Sequence, residues 1–334
     1  MKKLSLVILS IFLFILTACG SKNEDNNTEK KIELKMGIVP GIQSNEYKSI
    51  QYLSDYLKKE SEGKLTLKIY PDSQLGDDRE MLEQVSAGQL DLALAESGRL
   101  GLWIKEAEIF QLPYAFKNFD HLIDVLFNSN SGKKIIKKAK LEKGWIIVAN
   151  AYNGTRQTTS NKVINSLDDM KGMKLRVPNA QANLDFASYI GASPTPMAFT
   201  ETYLGLQTNA VDGQENPLSA IKTSKFYEVQ KYIALTNHII NDQCYIISSK
   251  TMEKIPDDLR NILENGIKET AKYHTNLFIE DEKNLLNFFQ NQGLVVTSPD
   301  LSSVPEKMKP IYDRYVKANG ELGKELFDVI NSSN

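Results

Sequence analysis

The chain has 334 residues, of which 41% are hydrophobic and 25% are charged. This composition is typical of a soluble globular protein, and the length favours two lobes of ordinary domain size over one small core. The formal net charge of -2 provides no positive field for nucleic acid, so we expect no nucleic-acid partner.

Residues 1–18 predict the signal peptide of a lipoprotein. Lys2 and Lys3 supply a positive start, and residues 4–16 form an apolar run that is too short to span a bilayer as a mature helix. The following "LTAC" resembles the lipobox of bacterial lipoproteins. We therefore expect cleavage before Cys19 and a lipid anchor, such as palmitate, that holds the protein outside the cytoplasm on a bacterial membrane. The alternative is an ordinary signal peptide with an incidental cysteine.

Residues 19–31 predict a flexible tether, because the segment from Ser21 to Lys31 contains no large apolar residue. The other cysteine, Cys244, lies in an apolar, strand-like run. Once Cys19 carries lipid, Cys244 has no partner. We expect no disulfide and a core position for Cys244.

Alternating strands and helices follow the tether. The pattern predicts strands at Ile32–Val39, Leu65–Ile69 and Leu90–Ala95, and helices at Ser44–Glu60 and Asp77–Ala87. Ser44 is the expected N-cap of the first helix, and Gly88 follows the end of the second. Helices between strands indicate a parallel α/β sheet.

The pattern restarts in the second half of the chain. The segments "KGWIIVANA" and "MKLRV" predict strands, and residues 180–190 and 200–208 predict helices. A helical pattern then runs from Pro256 to Gln292, which corresponds to about 50 Å at 1.5 Å per residue. Because this length exceeds one small lobe, we expect the helix to cross from one lobe to the other, with Gly266 as a point where it could bend.

The sequence contains no motif for a metal or a cofactor. Its three histidines, His121, His238 and His274, lack a second histidine or a cysteine at ligand spacing, and no phosphate-binding or serine-hydrolase motif is present. We expect packing roles for His121 and His274. His238 could lie near a cleft.

Polar and charged side chains recur where apolar segments end, which is where α/β sheets bind ligands. Two arginines, several amides, acids and an aromatic side chain suit a hydroxylated organic anion. Structural alternatives exist for each: Asp77 could only cap its helix, Glu96 and Arg99 could form a surface pair, and Arg156 and Arg176 could bind internal carboxylates. The candidates are Asp77, Asp78, Arg79, Glu96, Asn153, Arg156, Arg176, Asn179, Phe199, Gln214, Glu215 and Asn216.

The strings "SNEYK", "QLGDDR", "AYNGTRQTTSN", "LRVPNA", "GASPTPMAF" and "LQTNAVDGQENP" resemble the substrate-binding proteins of tripartite ATP-independent periplasmic (TRAP) transporters, and within them the sialic-acid binders. The resemblance extends from about Ile32 to the last helix. It implies a two-lobed α/β fold of the periplasmic-binding-protein type with a cleft between the lobes, a long lobe-spanning helix, a monomer, and integral-membrane transporter subunits as partners. Residues 32–153 and 242–281 would form one lobe, and residues 154–241 and 282–334 the other.

The resemblance also implies a site for N-acetylneuraminate. Arg176 of "LRVP" would hold the ligand carboxylate in a two-pronged salt bridge, with Arg156 of "GTRQ" and Asn216 of "QENP" beside it. Asp78 of "GDDR" and Glu96 of "AES" would accept hydrogen bonds from sugar hydroxyls.

Phe199 of "PMAF" would pack on the apolar side of the sugar. One position departs from the family pattern, because sialic-acid binders carry an asparagine in the first strand-to-helix turn where this chain has Val39. A valine offers no amide, so it either touches an apolar part of the ligand or leaves the site one bond short. The expected neighbours of the site are Asn179, Arg99, Glu215 and His238.

Three other functions remain open at this point. The same fold could bind another sugar acid, such as a uronate, or a dicarboxylate, although a dicarboxylate would set Asp78 and Glu96 against a second negative charge. The same two acids could be the carboxylate pair of a glycosidase. Finally, the chain could be an adhesion lipoprotein without a small ligand.

Overall fold

The computed structural model describes residues 31–332. The strands are β1 (Ile32–Gly37), β2 (Leu65–Tyr70), β3 (Leu92–Ala95), β4 (Trp145–Ser160), β5 (Lys174–Val177), β6 (Ser193–Pro196), β7 (Gly213–Pro217), β8 (Tyr232–Ala234), β9 (Ile240–Ser248) and β10 (Val295–Thr297). The α-helices are α1 (Asn45–Glu60), α2 (Asp78–Ala87), α3 (Phe119–Ile123), α4 (Asn130–Lys143), α5 (Gln181–Tyr189), α6 (Thr202–Gln207), α7 (Leu218–Thr223), α8 (Ser249–Lys254), α9 (Asp257–Asn291) and α10 (Val304–Ser332). Residues 1–30, with the predicted signal peptide, Cys19 and nearly all of the tether, lie outside the described range.

The first two helices begin as the sequence predicts. Ser44 caps α1, where its Oγ accepts a hydrogen bond from the Tyr47 amide at 3.1 Å. Asp77 caps α2 in a reciprocal pair with Glu80, in which each side chain accepts the other residue's amide at 2.9 Å. Asp77 therefore fills the structural role that its position in the sequence allowed.

The strands form two hydrogen-bonded groups that share β4. The first strand group contains β1, β2, β3, β9 and residues 145–155 of β4, and the second contains β5 to β8, β10 and residues 156–160 of β4. The prediction of parallel strands is correct for β1 to β3 and for β5 to β7. It is wrong for β4 and β9, which run antiparallel to each other and to their other neighbours.

Strand β4 changes partner at a bulge. Its register with β9 shifts between Tyr152 and Thr155, and Gly154 adopts φ +93° at this point. A Cβ on Gly154 would also lie 2.8 Å from Cβ of Pro217, so both the backbone conformation and the packing require glycine. The predicted lobe boundary after residue 153 falls at this bulge, and the division into lobes stays a prediction.

Helix α9 runs unbroken for 35 residues and packs against both strand groups. Near its start, Leu259 and Leu263 belong to a core that also contains Leu34 and Leu53, and near its end Phe289 packs with Ile233. The expected long helix is thus confirmed. At Gly266 the helix does not break, and a Cβ would lie 2.7 Å from the Tyr56 ring, so this glycine allows α1 to approach closely.

Cys244 is fully buried in β9, as expected for a core residue. Burial raises the pKa of its thiol well above the ordinary value. Within residues 31–332, no helix has the length and the apolar character needed to cross a membrane.

Candidate ligand-binding site

A cavity of about 440 Å³ is lined by both strand groups. Its walls come from the segments that follow β1, β2, β3, β5 and β6 and from residues within β4, β7 and β9. This placement agrees with the rule that ligands bind beyond the carboxyl ends of strands. The predicted site residues that line the cavity are Val39, Asp77, Asp78, Arg79, Glu96, Arg99, Asn153, Arg156, Arg176, Asn179, Phe199 and Asn216.

Arg176 is a buried cation that faces this cavity and has no carboxylate partner among the residues that the structure describes. Only 2% of its surface is exposed, and its Nε and Nη2 donate to the carbonyl oxygen of Met197 at 3.1 and 2.7 Å. Among residues 31–332 it forms no salt bridge, and burial lowers its pKa to about 10. A guanidinium carries five N–H groups, so three remain for a ligand. The centroid of the Phe199 ring lies 6.0 Å from the guanidinium carbon.

Arg156 lines the same cavity but is already neutralised by the protein. Its Nε donates to Glu215 Oε2, its Nη2 to Glu215 Oε1 at 2.9 Å, and its Nη1 to Glu96 Oε1 at 3.2 Å. Burial opposes the charge of Arg156, but the two carboxylates outweigh this effect and raise its pKa above the ordinary value. Of the two arginines, only Arg156 binds internal carboxylates.

Glu215 and His238 lie behind Arg156 and do not line the cavity. Both are fully buried, and His238 Nε2 lies 3.0 Å from Glu215 Oε2. Burial alone would raise the pKa of Glu215, but Arg156 and the bond from His238 hold it at about 2. Burial lowers the pKa of His238, and its ring stacks on Phe186 with 4.0 Å between the centroids, so this histidine is neutral near pH 7 and supports the ion pair.

Two asparagine side chains accept hydrogen bonds from the Arg156 guanidinium. Asn216 Oδ1 accepts from Arg156 Nη2 at 3.2 Å, while its Nδ2 donates to Gln214 at 2.6 Å. Asn241 Oδ1 accepts from Arg156 Nη1 at 2.9 Å. The Arg156 guanidinium thereby fixes the direction of both amides.

Asp78 and Glu96, the two acids expected to bind the sugar hydroxyls, also interact with side chains of the protein. Arg99 Nε lies 2.8 Å from Asp78 Oδ2, although the N–H is bent too far for a good hydrogen bond, and Arg99 Nη1 donates to the Asn179 carbonyl at 3.1 Å. Burial raises the pKa of Asp78 despite the opposing effect of Arg99. Glu96 accepts from Gln111 Nε2 in addition to Arg156, so the surface pair between Glu96 and Arg99 is not formed.

The cavity also contains polar residues that the sequence reasoning missed. Asn241 and Gln243 line it from alternate positions of β9, but Asp242 between them is also polar, so no alternation in the sequence distinguishes the two residues that face the cavity. Glu46 lines it from the first turn of α1, where an acid is ordinarily explained by the helix dipole alone.

This chain belongs to family 7 of the bacterial extracellular solute-binding proteins, the DctP family, whose model matches residues 36–319. Members of this family are solute-binding proteins, so the chain is a binder and not an enzyme. Both the two arginines at one end of the cavity and the fold agree with this class.

Three similar proteins of known ligand class illustrate the resemblance. The sialic acid-binding periplasmic protein SiaP of Vibrio cholerae is 47% identical over 307 residues, which cover 92% of this chain and 94% of that protein. The sugar acid binding protein DctPAm of Advenella mimigardefordensis, solved in complex with galactonate, has a TM-score of 0.85 and 28% identity and covers 91% of this chain and 99% of its own. A TRAP periplasmic solute binding protein of Haemophilus influenzae with bound L-gulonate has a TM-score of 0.84 and 28% identity, covering 90% and 99% of the two chains.

Proposed function

We propose that this protein captures N-acetylneuraminate outside the cytoplasm and delivers it to a TRAP-type membrane transporter. The similarity to the Vibrio cholerae sialic acid-binding protein over nearly the whole chain supports this ligand. The observation that carries the proposal is Arg176, a buried arginine that is open to a cavity and without a carboxylate partner among residues 31–332. An uncompensated buried charge is costly, and a ligand carboxylate removes that cost.

The proposed ligand lies with its carboxylate on the free N–H groups of Arg176, since guanidinium and carboxylate match in a planar fork. Asn216 borders the same corner, and Arg156 acts there as a paired charge whose partners hold the amides in place. Phe199 covers an apolar part of the sugar. The hydroxyl end of the ligand meets Asp78 and Glu96, and Val39 touches it without a hydrogen bond.

The charges that line the cavity favour a ligand with a single negative charge. Arg99 is paired with Asp78, and Arg156 with Glu215 and Glu96, which leaves Arg176 as the buried arginine without an acid in the part of the chain that the structure describes. A dicarboxylate would place its second charge against Asp78 and Glu96. The structure therefore supports a monocarboxylate.

A second candidate ligand is another sugar acid. The solved relatives with galactonate and L-gulonate favour it, because those ligands also combine one carboxylate with several hydroxyl groups. A uronate belongs to the same chemical class. Calorimetric titration of the mature protein with N-acetylneuraminate, galactonate, gulonate and glucuronate ranks these candidates, and a tighter complex with one of the others replaces the sialic-acid proposal.

We expect N-acetylneuraminate to bind and the neutral sugar N-acetylmannosamine to give no measurable heat at the same concentrations. Without a carboxylate, the ligand would leave the Arg176 charge buried and unpaired, and sites built for a polar group reject analogues that lack it by large factors. Titration calorimetry with both sugars checks this expectation. Equal affinity for the two sugars would refute a site centred on Arg176.

We further propose that the protein acts as a monomer whose two lobes, residues 32–153 with 242–281 and residues 154–241 with 282–334, close around the ligand. The bulge in β4 at Gly154 supports a hinge at the first boundary. Closure of this kind excludes water and strengthens the bonds to the carboxylate.

The proposed anchor is a lipid on Cys19. We expect Cys19→Ala to release the protein from the membrane fraction of cells while the purified variant keeps the affinity of the parent for N-acetylneuraminate. The reason is that "LTAC" and the polar tether after it supply the attachment, whereas the site lies entirely within residues 31–332. Cell fractionation and calorimetry give the two readouts. Retention of Cys19→Ala in the membrane fraction at the level of the parent would contradict lipidation at this residue.

A further inference from the structure

A chain of buried hydrogen bonds leads from α9 to the wall of the cavity. His274 of α9 is fully buried, and its Nδ1 lies 2.9 Å from the Tyr245 hydroxyl and 3.2 Å from Ser49 Oγ. On the other side of the ring, Nε2 lies 3.0 Å from Oδ1 of Asn153, which lines the cavity together with Glu46. These groups connect α1, β4, β9 and α9 where β4 passes between the strand groups.

The partners of the ring decide which nitrogen carries the proton. Ser49 Oγ donates its one proton to the carbonyl oxygen of Glu46 at 2.7 Å, so the serine can only accept from its other neighbours. The Tyr245 hydroxyl lies closer to Nδ1, at 2.9 Å, than to Ser49 Oγ, at 3.2 Å, and we take it as the donor to Nδ1. This arrangement leaves the proton of the neutral imidazole on Nε2, where it points at Asn153 Oδ1.

The surroundings of the Asn153 N–H₂ group favour the same position of the His274 proton. Oδ1 of Asn153 is turned to His274, which leaves the N–H₂ group for the side of Glu46. Burial raises the pKa of the Glu46 carboxyl, and the Asn153 side chain opposes this rise, as an N–H₂ donor facing a carboxylate does. The reverse orientation would set the amide oxygen against the carboxylate. Burial also lowers the pKa of His274 to about 3, so the ring stays neutral near pH 7.

We propose that Glu46 and Asn153 form an additional polar subsite that takes one hydroxyl group of the ligand, and that His274 is a positioning residue that fixes the direction of the Asn153 amide. A hydroxyl group can donate to the carboxylate of Glu46 and accept from the N–H₂ group of Asn153. Glu46 is only 7% exposed and borders the cavity. The subsite rests on the proposed function, and it supplies an amide to a cavity in which Val39 offers none.

The state of His274 is measured first, on the full mature protein without ligand. Nitrogen-15 spectra of histidine side chains, after residue-specific assignment, should show a neutral ring protonated on Nε2 at pH 7. This measurement does not depend on the identity of the ligand. A ring protonated on Nδ1, or a charged ring, would overturn the positioning role.

The subsite is then tested by calorimetry with N-acetylneuraminate. Asn153→Ala should weaken binding about tenfold, and His274→Phe should weaken it by about the same factor in the parent but by less than about twofold in the Asn153→Ala background. Glu46→Gln, which keeps the shape but loses the charge, should cost several-fold. His121→Phe is the matched control, because His121 does not line the cavity, and its affinity should equal that of the parent.

The outcomes separate the two proposals. If the parent binds N-acetylneuraminate but Asn153→Ala binds as tightly as the parent, the subsite is refuted and the proposed function stands. If His274→Phe weakens binding equally in both backgrounds, its role is only structural. If another sugar acid binds in place of N-acetylneuraminate, the proposed ligand is wrong, and the Asn153→Ala and His274→Phe titrations are repeated with that acid. If His274→Phe does not fold, the spectra of the parent and the Asn153→Ala titration still decide both claims.

Discussion

Replacement of Arg176 by lysine is expected to weaken N-acetylneuraminate binding by about 30- to 1,000-fold. Arg176 offers two parallel charge-assisted bonds to the ligand carboxylate, and bonds of this type contribute roughly 1.5–3 kcal/mol each. Lysine keeps the charge but lacks the planar fork, so about 2–4 kcal/mol should be lost, at about 1.4 kcal/mol per tenfold. Titration calorimetry of Arg176→Lys against the parent measures this loss.

Arg260→Lys is the matched control for this variant. Arg260 pairs with Asp257 at the start of α9 and does not line the cavity, so the same chemical change should alter affinity by less than about twofold. Thermal melts of both variants should resemble that of the parent, because Arg176 has no internal carboxylate to lose among the described residues. Parent-like affinity in Arg176→Lys, or a failure of that variant to fold, would show that Arg176 does not serve the ligand.

Glu215→Gln should have the largest effect on stability and lower the free energy of unfolding by about 3–5 kcal/mol. The change keeps the shape of the side chain but removes the carboxylate that pairs with Arg156, which is 2% exposed. Arg156 is then left with Glu96 at 3.2 Å as its remaining acidic partner. Urea denaturation at pH 7 measures the difference between parent and variant.

The same measurement at lower pH tests the sign of this contribution. Because the pKa of Glu215 is held at about 2 in the folded protein, below its ordinary 4.5, its stabilising effect is complete above pH 4.5 and is lost as the pH falls from 4.5 toward 2. The difference between parent and Glu215→Gln should therefore shrink at pH 3. Glu269→Gln, at an exposed pair with Lys272, is the control and should cost less than about 0.5 kcal/mol. A cost as small for Glu215→Gln would exclude a structural ion pair with Arg156.

The local fold follows closely from the sequence. Caps and apolar spacing give the starts of α1 and α2 within a residue, and the long periodic run gives α9 within a residue at each end. The antiparallel directions of β4 and β9 could not be predicted from the sequence. The alternation of strands and helices along the chain does not indicate that β4 pairs with strands of both groups. That pairing is decided by contacts between distant segments.

The candidate site is only partly readable from the sequence for a similar reason. Polar residues after strands mark its walls, and Arg176 stands out in an apolar string. The sheet register decides which of the two arginines has an internal carboxylate partner. Because β4 pairs with β7, Arg156 lies near Glu215, a residue 59 positions away in the sequence. The hydrogen bond between His274 and Asn153 likewise joins residues 121 positions apart, so no local sequence pattern predicts it.

The burial of Cys244 makes the protein suitable for distance measurements by site-specific labelling. In a chain expressed without Cys19, Cys244 is the remaining cysteine, and its fully enclosed, protonated thiol offers reagents no accessible thiolate. Cysteines introduced at exposed positions, for example Lys58 at the end of α1 and Ala210 before β7, can therefore carry a pair of spin labels without removal of the native thiol. The separation of the labels with and without sugar acid then tests the proposed lobe closure directly in solution.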